Sequence, residues 1–167
     1  MKAGKWIYLL SVALMGCTQQ QKTEDFSWSS FTTQLKVNGI IPYQQSVKEV
    51  VEKLGKPDSI IKKMYHFNGI TYFKYNTDSL HLNGVDFTKC PETFVISGKL
   101  KLSGNTRVVD IKDDHPINLN SEMDSADTTK FQLIGISHTI TPASSFWALR
   151  FNKESGRLVR MELMLFD

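Results

Sequence analysis

Cysteine is nearly absent from this chain: of 167 residues, only Cys17 and Cys90 carry a thiol. Cys17 belongs to an N-terminal leader described below, which leaves Cys90 without an intramolecular partner and excludes a disulfide framework. The short motifs of common chemistries are missing too. There is no glycine-rich phosphate loop, no G-x-S-x-G, no H-E-x-x-H and no C-x-x-C. The four histidines, His66, His81, His115 and His138, show none of the spacings that bring ligands to one metal ion. Asp113-Asp114-His115 is the tightest trio of donors, yet three successive loop residues rarely face one ion. The glycine and terminal glutamate of a calcium loop are also lacking there. No metal and no cofactor is therefore expected, and no enzyme. No basic cluster exists either, which argues against nucleic acid as a partner.

Long apolar runs are equally scarce. Trp6 to Met15 is uncharged, but at about ten residues it is half of the ~20 that a membrane-spanning helix needs. Lys2 and Lys5 precede it with no acid among them, and Gly16 follows. A basic start, a short apolar core and a small residue form the order of a secretory signal. Leu14-Met15-Gly16-Cys17 resembles the lipobox of bacterial lipoproteins. That resemblance implies cleavage between Gly16 and Cys17 and acyl chains on Cys17, which makes the membrane a partner through lipid. Acyl chains hold a bilayer with about 0.8 kcal/mol per buried CH₂. The expected organisation is a signal peptide over 1–16, a lipidated cysteine and tether over 17–30, and one domain over 31–167. Removing residues 1–16 from 167 leaves 151, enough for a self-sufficient core, and losing Lys2 and Lys5 lowers the formal charge from +3 to +1.

Thr18 to Ser30 is polar and Gln/Ser-rich, a composition that orders poorly by itself. Phe26, Trp28 and Phe31 suggest that the end of the tether docks on the domain. Thr18, rather than Asp, follows Cys17, as in lipoproteins sent to the outer membrane of Gram-negative bacteria, which this segment resembles. Gln21 to Asp25 resembles the charged export tag of surface lipoproteins of the Bacteroidetes group. The expected location is the outer membrane, lipid-anchored on its periplasmic or surface face.

The domain itself reads as α+β, an antiparallel sheet built from hairpins with one short capped helix at about 46–54 packed on it. Residues 33–43 carry Asn38-Gly39 between apolar-bearing runs, the strongest short hairpin signal. Ser46-Val47-Lys48-Glu49 is a capping box, and Val47, Val50, Val51 and Leu54 form one apolar stripe. Gly55 and Pro57 then end the helix. Ile70 to Tyr75 predicts a strand. Leu80 to Phe87, with Asn83-Gly84 at its centre, predicts a second hairpin. Phe94, Ile96, Leu100 and Leu102 share one parity, which predicts a single half-buried strand with a bulge at Gly98. Arg107 to Ile111 and Phe131 to Ile140 follow as strands, and Ser145 to Phe166 as a long closing hairpin turning at Lys153 to Gly156.

Residues 112–130 lack periodicity and carry five acids. A connection of that length is usually functional or disordered. It is the expected interaction loop, with Asp113, Asp114, His115, Glu122, Asp124 and Asp127 as its charged groups.

Ser46 to Asp58, with its Ser-x-x-Glu-Val followed by Leu-Gly-x-Pro, resembles the helix-and-turn segment of the SmpA/OmlA (BamE) lipoproteins. The resemblance covers about 20 residues and extends to the lipobox. BamE-like chains carry two early helices and a short sheet, whereas hairpins here outnumber the helix, so an assembly-machine role is not implied. The whole looks like an uncharacterised Bacteroidetes lipoprotein family. The expected function is a non-enzymatic module that binds an unidentified envelope protein, with an immunity or inhibitor protein as the sharper form of that reading. The alternative is a carrier of a small ligand or glycan, with Trp147 and the aromatic strands lining a pocket.

Overall fold

The computed structural model describes residues 28–112, 130–136 and 145–165. Helix α1 (Trp28–Gln34) comes first, beginning inside the stretch read as tether. It occupies Thr33 and Gln34, which the hairpin reading assigned to a strand. Phe31 and Leu35, one turn apart, are both buried, and that i, i+4 spacing is what draws this stretch into a helix. Strands β1 (Lys36–Val37) and β2 (Ile41–Pro42) then pair across Asn38-Gly39. Both turn residues have positive φ, 52° and 72°, as the hairpin signal requires.

Strand β3 (Gln44–Ser46) leads directly into α2 (Val47–Leu54). The expected capping box is present: the Glu49 N–H donates to Ser46 Oγ at 3.2 Å. The Ser46 hydroxyl in turn donates to the Glu49 carboxylate at 2.6 Å. Val50 is buried, and Val47, Val51 and Leu54 pack half-buried on the core, so the stripe faces inward as its spacing predicts. Gly55 closes the helix by donating its N–H to Val51 O.

Strands β4 (Ser59–Ile61), β5 (Met64–Phe67), β6 (Ile70–Lys74) and β7 (Ser79–Asp86) form an antiparallel meander. The turn between β5 and β6 is Asn68-Gly69, with φ of 39° and 90°. Asn83-Gly84 makes no turn. Strand β7 runs straight through it, with Thr71 opposite Gly84 and Tyr72 opposite Leu82, so Asn83 is an extra, bulged residue. The bulge keeps Leu80, Leu82 and Val85 buried on one face. Gly84 is there for close approach: a Cβ would lie 2.9 Å from Met161 O on the neighbouring strand.

Strands β8 (Phe94–Ser97) and β9 (Leu100–Ser103) are two arms of a tight hairpin, where one bulged strand was expected. A two-residue turn at Gly98-Lys99 puts Ser97 opposite Leu100 and Val95 opposite Leu102. Those four are the buried residues, and Phe94 and Ile96 face the other way. The expected strand at 107–111 is instead helix α3 (Val108–Lys112), whose start is fixed by the Arg107 N–H donating to the Asp110 carboxylate at 2.7 Å. Strands β10 (Phe131–Ile136), β11 (Ser145–Asn152) and β12 (Leu158–Leu165) complete the chain, and β11 and β12 form the closing hairpin as read.

The large sheet has the order β10-β11-β12-β7-β6-β5-β4, and the small sheet the order β2-β1-β8-β9. Strand β3 shares one edge of β7 with β12: it pairs with Ser79 to His81, and β12 pairs with Gly84 to Asp86. Both sheets and α1 contribute to one core that includes Trp147, Tyr72, Phe31, Leu102 and Ile134. The α+β class and its antiparallel pairing hold. The described residues contain three short helices rather than one.

Candidate functional site

One end of the large sheet gathers the exposed chemistry. There the β4–β5 turn (Lys62, Lys63), the β6–β7 turn (Asn76 to Asp78) and the start of α2 lie next to one another. They are tied by the Lys74 N–H donating to Lys63 O at 2.7 Å and the Val47 N–H donating to Asp78 O at 3.0 Å. Ile61, Met64, Phe73 and His81 follow one another in register across β4, β5, β6 and β7 on the outer face. Ile61 is 60% exposed, and Phe73 is also open to solvent. Ile60, on the opposite flank of the edge strand β4, is 54% exposed. No acid occurs from Ser59 to Thr77, whereas Lys62, Lys63 and Lys74 do, and the Lys63 ammonium sits 5.9 Å above the Phe73 ring.

Beside this apolar row is a shallow depression of about 520 Å³ lined by Gln44, Gln45, Ser46, Asn76, Asp78 and Ser79. Its walls are fixed by the backbone. Asn76 Oδ1 accepts the N–H groups of Asp78 and Ser79 at 3.0 and 2.9 Å, and Ser46 is held in the helix cap. Tyr75 adjoins Asn76 in the chain. Its ring lies 4.8 Å from that of His81 at an interplanar angle of 11°, and the Tyr43 ring lies 5.2 Å from the same imidazole, tilted at 55°. Tyr75 is nonetheless 66% exposed. Burial pushes the His81 pKa below its ordinary value, so the imidazole stacks as a neutral ring. The Glu49 carboxyl is held below its usual range, chiefly by the hydrogen bond from the Ser46 hydroxyl.

Elsewhere the structure gives structural roles to residues weighed for chemistry. Cys90 is 7% exposed, and its thiol donates to Asp86 O at 3.0 Å. Burial is the largest effect and pushes its pKa up; the Thr93 hydrogen bond offsets part of this, and the Asp86 charge adds the smallest contribution, upward. A protonated, enclosed thiol is no nucleophile. Trp147 and Phe146 are buried, and Trp147 donates Nε1–H to Thr32 Oγ1 at 3.1 Å. Tyr72 is buried as well. An enclosed apolar pocket lined by Trp147 is therefore overturned: that ring fills core. Glu162 is paired with both Arg150 and Arg160, at 3.1 and 2.9 Å. Among the described residues no three His, Cys, Asp or Glu converge as metal ligands, and no helix is long and apolar enough to cross a membrane.

Gly16, Cys17 and the loop groups Asp113, Asp114, His115, Glu122, Asp124 and Asp127 lie outside the described residues. Sequence reasoning passed over Gln44, Asn76 and Asp78, and counted Tyr75 among the aromatic strands that would line a pocket. Residues 72 and 75 have opposite parity on a strand, so a buried Tyr72 turns Phe73 and Tyr75 outward. No family model matches the chain, and neither a curated protein nor a solved structure matches it.

Proposed function

We propose that this chain is an envelope lipoprotein, held on the outer membrane by acyl chains on Cys17, that acts as a non-enzymatic protein-binding module. The observation that carries the binding role is the apolar end of the large sheet. Ile61 and Phe73 stand exposed there on one face of the sheet beside Lys62 and Lys63, with no neighbouring acid in that stretch of chain. Exposed large apolar side chains grouped inside a charged rim are the usual make-up of a protein-contact surface. Lysines of one sign select a partner with an acidic surface and speed its encounter. An immunity or inhibitor role is the sharper form of this reading, since a tethered domain would meet an incoming toxin or hydrolase at the membrane.

The test is affinity purification of the protein from crosslinked envelopes. It is run alongside Cys17→Ala and a surface variant combining Ile61→Asp with Lys62→Glu and Lys63→Glu. A stoichiometric partner retained by the native protein and lost by the surface variant is the expected result. A partner set unchanged by the surface variant overturns this site. For the immunity form, loss of the gene should sensitise cells to neighbouring toxin producers.

A further inference from the structure

We propose that the outer face of the small sheet is a docking surface for an anionic lipid bilayer, on which the domain rests. The sequence shows no basic run, but strand pairing gathers a basic face. Lys36 on β1, Ile96 on β8 and Lys101 on β9 stand opposite one another in register, and both lysines are exposed. The adjoining row of Val37, Val95 and Leu102 is buried, which makes Lys36, Ile96 and Lys101 an outward row. Lys99 is exposed in the β8–β9 turn. Lys53 reaches in from α2, its ammonium donating to Ile40 O at 3.2 Å.

Acid is missing from every strand and turn of this sheet. None occurs from Phe26 to Lys48 or from Thr93 to Arg107, the two stretches that supply it. Apolar surface lies between the charges. Ile40 is 62% exposed at the β1–β2 turn, and Phe94 and Ile96 are half-buried. That turn leans on both: a Cβ at Gly39 would lie 3.9 Å from the Phe94 ring and 3.7 Å from Ile96 Cδ1. The Lys101 ammonium sits 4.2 Å above the Phe94 ring. A lysine so placed suits an interface, because its stem follows apolar surface while its head reaches a phosphate.

Two arguments favour lipid over protein as the occupant. A protein contact needs a desolvated apolar centre, and Ile40 is the one large apolar side chain of this face that stands open. Lysines near an anionic lipid surface each contribute without such a centre. The second argument is reach, and it rests on the lipoprotein reading above. Trp28, which opens α1, follows Cys17 by eleven residues, and a flexible segment of that length spans roughly 18 Å. Helix α1 is bonded to the small sheet, since Ser97 on β8 donates to Phe31 O at 2.7 Å. Acyl chains on Cys17 would therefore keep this sheet close to the bilayer, where tethering makes weak contacts effective.

The experiment is vesicle co-sedimentation of residues 17–167 carrying Cys17→Ser. This chain keeps every described residue and lacks both the acyl chains and the apolar leader, which would enter a bilayer by itself. The vesicles are phosphatidylcholine alone or mixed with phosphatidylglycerol. The expected result is binding to the mixed vesicles that falls as salt rises, with little on phosphatidylcholine alone. Combining Lys36→Gln, Lys99→Gln and Lys101→Gln should weaken binding by about a hundredfold, while arginine at the same three positions should retain it. The Ile61, Lys62 and Lys63 surface variant should bind as the unmutated chain does. All three lysines are exposed, and an unchanged melting temperature checks that the glutamine variant is folded. No binding to the mixed vesicles overturns the proposal, as does equal binding by the glutamine variant or equal binding to phosphatidylcholine alone. A crosslinked envelope partner lost with the glutamine set, without vesicle binding, would make the face a protein surface and overturn it too. Acylation of Cys17 is read separately from the mass of the native protein, so a missing anchor and a failed face give different results.

Discussion

Cys90 and His81 are both titratable side chains on or beside β7, and burial moves each toward its neutral form. For Cys90 this means a thiol that stays protonated at neutral pH, with Sγ given over to Asp86 O. Iodoacetamide at pH 8 should therefore modify Cys90 at least about tenfold more slowly in the folded protein than in denaturant. Equal rates would show that the thiol is open. For His81 the sign runs through the proton: the folded state holds it less readily than the unfolded state does, whose value is near 6.5. The stability contributed by the neutral, stacked imidazole is present above that value and is lost as pH falls through the lowered folded value. Melting temperature should thus fall more steeply below about pH 6.5 in the native protein than in His81→Phe, which keeps a ring against Tyr75. Parallel curves for the two proteins would mean that the imidazole is not held neutral. At this scale the sequence was half legible. Free cysteine is usually buried, and Cys90 is. That Gln44 and Asp78 should line one depression was not legible, because β3 and the β6–β7 turn are brought together only by the pairing of β3 with β7.

Elements were legible where a local motif carries its own geometry. Ser46-x-x-Glu49 caps a helix in any context that admits one, and Asn38-Gly39 turns because both residues adopt positive φ. Ser46→Ala should accordingly cost about 1 kcal/mol in urea unfolding, with Ser46→Gly milder. No change in either would mean that α2 is held by its stripe alone. The same dipeptide misleads at Asn83-Gly84, where pairing on both edges of β7 overrides local preference and the extra residue is absorbed as a bulge. Gly84 is there for space, so Gly84→Val should destabilise by about 1–3 kcal/mol through overpacking against Met161 O and Thr71 Oγ1. Were the dipeptide a turn in solution, valine there would act through the turn and the β7–β12 amide protection would survive. The opposite omission is Asn68-Gly69, a true turn that the same rule would have found. Strand parity across Gly98 failed for a geometric reason: a two-residue turn reverses which side chains share a face.

For the molecule as a whole, what joins the start of the described chain to its end is a buried polar bond. Trp147 on β11 donates to Thr32 in α1 across 115 residues of sequence, and Ser97 on β8 donates to Phe31 O in the same helix at 2.7 Å. Helix α1 is thereby bonded to a strand of each sheet, with Phe31 packed edge-on against Trp147 at 6.3 Å. Such a contact closes a very long loop, and its formation belongs late in folding, when both sheets already exist. Removing one partner strands the other inside the core. Thr32→Val leaves the indole N–H buried and unpaired, which should cost about 1–3 kcal/mol. Trp147→Phe removes the donor but also loses buried area. In the double variant neither polar group remains, so its loss should fall short of the sum of the two single losses by about 1 kcal/mol or more. Equilibrium unfolding of the four proteins measures that shortfall. Strict additivity would mean that the Trp147–Thr32 hydrogen bond contributes nothing to how the helix meets the large sheet, leaving α1 seated by apolar packing and by the Ser97–Phe31 bond.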